Sequence, residues 1–340
     1  MVNFPLPRID TDLRLQKLLL KHCSFKPGDT WIDPEGKHKI ACIDASDKST
    51  IGKLLVDEKA SLAIQDPPYN FVAFDERDLE KFIEWSKKWI ENNYGFLLRD
   101  SSLYIWLGAD QNNHFQPLPD FILMMKESGF DSRSFITMRN QRGYGTQKNW
   151  MSVRQELLYY TKGNPYFDIN SEYTDIPKIL RGYYKKVNGK VTENFERGKS
   201  EFIRAGNVWV DIQQVFYRME ENVNGCYAQK PLKSISRIIQ ASSKPDDLVI
   251  DFFSHAGTTL IASEISGRRC ITCDINPVYC EITKRRLENF RETGKTGWQN
   301  SNPFIEEILD DNELKSYLEK EYLIIYQEKD VTLSTAKSLS

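Results

Sequence analysis

Asp66-Pro67-Pro68-Tyr69-Asn70 directly follows the apolar run Ser61 to Gln65. That puts a carboxylate and a rigid turn where a buried strand ends and a loop begins, the edge at which open α/β sheets bind ligands. An exocyclic amine on a purine or pyrimidine is a poor nucleophile because its lone pair is delocalised into the ring. Acceptors set around the amine hydrogens draw the nitrogen toward tetrahedral geometry and localise that pair for attack on a methyl group. Asp66 offers a carboxylate for this task, and two prolines without N–H groups, their φ fixed near about −65°, aim the Pro67 carbonyl in one direction. Tyr69 adds a flat surface for a base swung out of a duplex, as chemistry on a base edge requires. A tight proline turn with no chemistry is the alternative for the same five residues.

A second segment could hold the group that reacts with such an amine. Asp251-Phe252-Phe253-Ser254-His255-Ala256-Gly257-Thr258-Thr259 follows the apolar Leu248-Val249-Ile250 and leads into a helical run, Leu260 to Ser266, ended by Gly267. A strand, a small-residue loop and a helix N-terminus let a ligand approach the backbone closely. Neither GxxxxGK(S/T) nor GxGxxG is present, which argues against a triphosphate or dinucleotide. Arg269 to Cys273 reads as the next strand and ends at Asp274, the place for an acid that grips ribose hydroxyls about 20 residues after the first strand. Asn276-Pro277 then supplies an N-cap and a first-turn proline for a helix through Phe290. Cys270 and Cys273 have CxxC spacing but sit inside a predicted strand with no second pair. The histidines show no ligand spacing, so no metal is expected.

The rest of the chain must position these two segments. From Lys39 onward, short apolar runs alternate with loops and helical patterns, which predicts strand-helix units around a mostly parallel sheet. The strands expected are Ile40 to Ile43, Leu62 to Gln65, Leu103 to Leu107, Ser134 to Met138, Leu157 to Tyr160, Leu248 to Asp251 and Arg269 to Asp274. Leu79, Phe82, Ile83, Ser86, Trp89 and Ile90 share one face at helical spacing, which predicts a core-facing helix. Residues 1–37, with the amphipathic run Leu13 to Leu20, read as an arm, and residues 293–340 as a tail ending in a polar run. Residues 163–225, rich in Tyr, Asn, Gly and Lys, break the alternation and read as an inserted module.

With 340 residues, 40% of them hydrophobic, the chain can bury one large core with an elaboration. Six cysteines at irregular spacing, no secretory leader and no membrane-spanning run predict a soluble, cytoplasmic protein with no membrane association. The net charge of −2 gives no overall pull on a polyanion, so a nucleic-acid partner would need a local patch. Lys178 to Arg204 supplies one: eight basic residues, Lys185, Lys186 and Lys190 among them, against three acidic ones. By itself such a run is also a solvated face. Arg139-Asn140-Gln141-Arg142-Gly143-Tyr144-Gly145 and Lys148-Asn149-Trp150, after the strand at Ser134 to Met138, read as a loop able to bind phosphate and to stack.

Taken together, the DPPYN segment and the loop from Asp251 resemble the amino-methylating DNA methyltransferases of restriction-modification and related systems. The catalytic motif comes first and the cofactor loop later, an order similar to the beta, circularly permuted group. Gln229-Lys230-Pro231 looks like that family's motif ten, and Lys39 to Asp44 like the strand before its catalytic motif. The resemblance covers residues 38–162, the catalytic half, and 226–292, the cofactor half, with 163–225 in the place of the target-recognition region. It implies a Rossmann-like S-adenosylmethionine-dependent methyltransferase fold and site-specific methylation of double-stranded DNA with base flipping. A restriction endonuclease and a second copy of the chain are further partners it admits. By position, Asp66, Pro67, Pro68 and Tyr69 would form the catalytic site. Asp44 would meet the cofactor adenine and Asp274 its ribose, Lys230, Asp251, Phe253, Thr258 and Thr259 would surround its methionine portion, and Asp66, Gly257 and Asn276 complete the cofactor-binding set. DNA contacts would fall on Arg139, Arg142, Tyr144, Lys148, Lys185, Lys186 and Lys190.

Asp66 points to the N6 amine of adenine, because cytosine-N4 members often carry serine there; that cytosine activity is the alternative. The departure is His255, where the family usually has the first loop glycine. A side chain there would crowd the cofactor unless it pointed to solvent, which keeps open a DNA-binding relative that has lost transfer.

Overall fold

The computed structural model describes residues 5–68, 78–110, 113–146, 149–177, 183–194 and 201–322, with backbone alone for 140–146, 149, 183–187 and 191–194. Nine strands form one sheet in the order β1-β2-β13-β12-β3-β4-β6-β5-β11. These are β1 (Thr30–Ile32), β2 (His38–Cys42), β3 (Ala60–Gln65), β4 (Leu97–Leu107), β5 (Asp131–Thr146), β6 (Asn149–Lys162), β11 (Val208–Trp209), β12 (Leu248–Asp251) and β13 (Arg269–Asp274). The central five, β2, β13, β12, β3 and β4, run parallel, while β6 pairs antiparallel with both β4 and β5. The mostly parallel sheet expected from the alternating pattern is present, as is the Rossmann-like fold that the resemblance implies, and each central strand reads as a short apolar run because helices cover both of its faces.

On one face lie α2 (Lys48–Leu55), α3 (Leu79–Phe96) and α4 (Leu118–Met125), packed through Ile51, Leu54, Phe82, Trp89 and Phe121. On the other lie α5 (Leu232–Ser242), α6 (Thr258–Ile265) and α7 (Pro277–Thr293). Asp78 caps α3 by accepting the Lys81 N–H at 3.1 Å, and Asn276 caps α7 through the Val278 N–H at 2.9 Å, with Pro277 in its first turn.

A further layer joins the two ends of the chain. α1 (Leu13–Leu20) packs with α8 (Ile305–Asp310) and α9 (Asn312–Tyr322) around Leu15, Leu19, Phe304, Ile308, Leu314 and Leu318, all but absent from the surface. Much of the expected tail is thus structured, while its polar end lies outside the described residues. The stretch 163–225 contributes β7 (Tyr173–Pro177) paired with β10 (Phe202–Arg204) and a hairpin of β8 (Tyr183–Val187) with β9 (Lys190–Asn194). It also supplies β11, which extends the main sheet beside β5.

One expectation is corrected here. Residues 139–150 read as a loop, yet β5 runs on through Thr146 and pairs with β6 at Arg139↔Arg154, Tyr144↔Ser152 and Thr146↔Asn149. Gly143 and Gly145 gave the stretch its loop-like look. Register shifts between Arg139 and Thr146 absorb them as irregularities within a long hairpin, so cross-strand pairing overrides local composition. Among the described residues no helix is long and apolar enough to cross a membrane.

Candidate active site

β3 and β12 are adjacent and parallel, but the helices that follow them leave to opposite faces of the sheet: α3 to one and α6 to the other. A crevice opens at such a point beyond the carboxyl ends of the strands. A buried chain of amides fixes its floor. The Gln65 amide donates to the Asn93 Oδ1 at 3.0 Å, its Oε1 accepts the Phe252 N–H at 2.9 Å, and Asn93 donates to the Trp89 carbonyl at 2.8 Å. Gln65 thus ties the residue before Asp66 to the residue after Asp251.

The crevice is a cavity of about 530 Å³, inside the range of small-molecule sites. Asp66, Pro67, Pro68, Asp44, Lys230, Phe253, Asp274 and Asn276 all line it. Asp66 sits at the end of β3, its Oδ2 2.7 Å from the Lys230 ammonium, so the two residues proposed from distant motifs meet directly. Phe253 is held by edge-on contacts with Trp85 and Trp89, at 5.7 and 5.4 Å between centroids. Tyr69 lies outside the described residues.

Asp251, Thr258 and Thr259 do not face that cavity. They line a crevice of about 20 Å³ whose walls also include Asp66, Lys230, Phe253 and His255, so the two spaces share a boundary. Gly257 lines neither space, and its part is conformational. It caps α6 at φ +71°, and a Cβ there would lie 3.0 to 3.1 Å from three atoms of Thr283, the backbone Cα among them. Gly257→Ala should therefore lower the melting temperature by the equivalent of about 2 kcal/mol or more, from left-handed strain plus overpacking, as read by thermal unfolding.

Burial pushes the Asp251 carboxyl up to about 7, against the Thr259 hydroxyl and the Phe253 N–H that favour its charged form. Its folded pKa lies above the unfolded one, so the stability it contributes is complete below about pH 4 and lost as pH rises through 7. Asp251→Asn removes this titration. The variant should gain on the wild type between pH 5 and pH 8 by on the order of 2–4 kcal/mol, which thermal melts at the two pH values would show. Asp274 is likewise raised by burial, to about 6, while it accepts the N–H groups of Asn276 at 2.9 Å and His255 at 3.0 Å.

At His255 the sequence leaves two orientations open, into the cofactor space or out to solvent. Its side chain does not turn to solvent but lines the cavity, its ring edge-on to Tyr279 at 4.8 Å. The backbone there has φ +44°, which explains why glycine suits the position. The imidazole is one wall of the cavity. Burial lowers its pKa to about 4, so the ring is neutral at physiological pH.

Four carboxylates line the cavity. Asp66 is matched by Lys230 and Asp10 by Arg8, while Asp44 and Asp274 accept only backbone N–H groups among the described residues. The Tyr279 hydroxyl, in the same wall, is buried with no hydrogen-bond partner among the described residues. Such a lining suits a ligand with an aromatic or apolar body and more positive than negative charge. Sequence reading missed Arg8, Asp10, Gln16, Trp85, Tyr227 and Tyr279, all of which line the cavity. The first three lie in an arm with no motif, and the others looked like ordinary core or loop aromatics.

Of the residues expected to meet DNA, Arg139 is exposed on β5 and Lys190 is exposed at the start of β9. Arg142 and Tyr144 belong to the far part of β5, and Lys185 and Lys186 to β8, where the backbone alone is described; Lys148 lies outside the described residues. Trp150, in β6 of the same hairpin, is 90% exposed. No group of three or more His, Cys, Asp or Glu is placed to hold a metal ion among the described residues.

The sequence model of a family described as DNA methylase, covering the N6 and N4 methyltransferases, matches residues 60–285. The chain belongs to that family. This DNA methylase is 30% identical over 259 residues to the type II methyltransferase M1.MboII of Moraxella bovis, an alignment that spans 71% of this chain and 92% of that protein. It is 28% identical over 249 residues to the DNA adenine methyltransferase YhdJ of Escherichia coli (strain K12), spanning 69% and 79%. Two solved structures share its fold. TTHA0409, a DNA modification methylase of Thermus thermophilus complexed with S-adenosyl-L-methionine, matches at 20% identity and TM-score 0.50, over 77% of this chain and 97% of that one. The cytosine-N4-specific PvuII DNA methyltransferase matches at 15% identity and TM-score 0.53, over 77% and 89%. The methylase is thus a DNA methyltransferase of the N6-adenine or N4-cytosine class. Its family match contains Asp66, Lys230 and the loop after β12, while Asp44 and the arm residues lie ahead of it.

Proposed function

We propose that this methylase transfers a methyl group from S-adenosylmethionine to the N6 amine of adenine at a specific sequence in double-stranded DNA. The carrying observation is the Asp66 carboxylate, fixed at the end of β3 on the wall of a cavity that Phe253, after β12, and Asp274, at the end of β13, also line. S-Adenosylmethionine fits the lining: it brings aromatic surface for Phe253 and Trp85 and a net positive charge for carboxylates that lack cations. It supplies a methyl group already activated on a sulfonium. Asp274 and Asn276 would hold its ribose, Asp44 its adenine, and Lys230, Phe253 and the loop from Asp251 to Thr259 its methionine portion.

The chain's own task is then positioning and polarisation. Asp66 and the Pro67 carbonyl accept from the target amine and localise its lone pair. Asp66 need not be a strong base, because the amine can lose its proton after transfer. Adenine is favoured by aspartate rather than serine at position 66 and by the naming of YhdJ as an adenine methyltransferase. The long β5–β6 hairpin and the basic hairpin of β8 and β9 would embrace the duplex, with 163–225 as the recognition module. The type II name of M1.MboII supports a restriction-modification setting, in which an endonuclease of the same specificity would be the partner enzyme.

The test is to incubate the protein with unmethylated genomic DNA and labelled S-adenosylmethionine, digest to nucleosides and identify the labelled base by mass spectrometry. N6-methyladenine is the expected product. N4-methylcytosine would overturn the base assignment and keep the chemistry, and no labelled base would overturn both.

A further inference from the structure

The catalytic reading leaves unused a charged pair that the N-terminal arm brings to the same cavity. Arg8 grips Asp10 with two hydrogen bonds, Nε to Oδ1 at 3.0 Å and Nη2 to Oδ2 at 2.5 Å, and holds its guanidinium 3.7 Å from the centroid of the Tyr227 ring. Both residues line the cavity, although both lie far ahead of the family match.

The arm is fastened on two sides. On the inner side the Ile9 N–H donates to the Gly225 carbonyl at 3.1 Å and the Gln16 amide to the Ile9 carbonyl at 2.7 Å. Gly225, at φ +95°, leaves the space that Leu6 and Ile9 fill, since a Cβ there would come within 2.8 to 2.9 Å of them. On the outer side Asp12 accepts the hydroxyls of Tyr317 and Tyr322, and Lys21 meets Glu313, so α9 presses the arm into place.

Arg8 lies over Tyr227, three residues ahead of Lys230, whose ammonium holds Asp66, and His255 and Tyr279, in edge-on contact, line the cavity with both pairs. The Arg8–Asp10 pair thus shares one cavity with the Asp66–Lys230 pair, where the methyl group must be presented. Adenosine carries no charge, whereas the amino-acid portion of S-adenosylmethionine carries a carboxylate and an ammonium beside the sulfonium. Lys230 is engaged by Asp66, and Arg8 with Asp10 is the second cation–carboxylate pair of the lining among the described residues. A half-exposed ion pair contributes little to stability by itself, so an arm fastened at this many points serves more than its own folding.

We infer that Arg8 and Asp10 form a clamp for the zwitterionic amino-acid portion of the cofactor. Arg8 takes the carboxylate and Asp10 the ammonium, on an arm that the C-terminal helices hold over the site. The inference rests on S-adenosylmethionine as the ligand of this cavity.

Calorimetry on the full chain tests it with two ligands: S-adenosylmethionine, and 5′-deoxy-5′-methylthioadenosine, which has the adenosine and sulfur but no amino-acid portion. Arg8→Gln and Asp10→Asn should each weaken S-adenosylmethionine by about tenfold or more and leave the truncated ligand within about twofold. The double exchange Arg8→Asp with Asp10→Arg keeps a pair but reverses its polarity, and it should not restore binding. Equal weakening of both ligands, or rescue by the double exchange, would overturn the clamp and leave the arm as a plain wall. Wild-type protein that binds neither ligand would overturn the cofactor assignment itself.

Discussion

Replacing Asp66 with alanine should slow methyl transfer by on the order of 10³-fold, with cofactor and DNA affinity changed far less. The carboxylate stands at the end of a buried strand, and its neighbour Gln65 is tied through Phe252 to the cofactor half of the sheet. Its position is therefore set by the sheet and not by its own contacts, and the alanine variant keeps the fold. The partner it abandons is Lys230, whose side chain is only 10% exposed. That ammonium would be left without its carboxylate, a destabilisation of about 1–3 kcal/mol that Asp66→Asn, which retains an acceptor oxygen, should reduce. Single-turnover rates with labelled cofactor, beside calorimetric affinities for cofactor and a DNA fragment, separate the outcomes. A variant that loses folding in proportion to rate would mark Asp66-Pro67-Pro68 as a structural turn.

Arg286→Met should cost about 3–5 kcal/mol of stability, and cofactor affinity should fall with it. The guanidinium is fully buried and joins three separate segments. It donates to the Ala256 carbonyl at 2.7 Å and the Thr258 hydroxyl at 3.0 Å, to the Thr296 carbonyl at 2.6 Å and to the Glu221 carbonyl at 3.2 Å. Burial lowers its pKa to about 10, which still leaves it charged at neutral pH. Methionine fills similar space but strands these acceptors. Because two of them belong to the loop after β12, the loop should lose its shape before the sheet does. Urea unfolding monitored by circular dichroism would give the loss of stability. A change below about 1 kcal/mol would show that water replaces the guanidinium at little cost.

The comparison of sequence with structure turns on which signals are local. DPPYN after an apolar run, and Asp251 and Asp274 at the ends of two more, were legible because strand ends and loops announce themselves within a few residues. The positions of Asp66, Asp274 and Phe253 around one cavity follow from that pattern and the parallel sheet. Arg286 was invisible for the opposite reason: in a helix rich in Lys, Arg and Glu it looks like one more surface charge. Only the long-range return of residues 221 and 296 buries it. Arg8 and Asp10 were hidden in the same way, since nothing near residue 8 signals that Gly225 lies against Ile9. The hairpin at 131–162 failed on local evidence, its glycines outweighing a pairing that composition does not encode.

The sheet order also governs when the enzyme can exist. β2 and β3 are close in sequence, yet the slot between them, two strands wide, is filled by β13 and β12 from far along the chain. On the ribosome, β3 emerges with Asp66 at its tip while the strand that should lie beside it is still unmade. Until Asp274 has left the tunnel, two inner strand edges face outward with their hydrogen-bonding groups unpaired, the condition under which nascent chains aggregate or wait on chaperones. The last central strand closes the sheet and the cavity together. A prematurely ended chain would therefore be an inert, sticky fragment rather than a weak methylase.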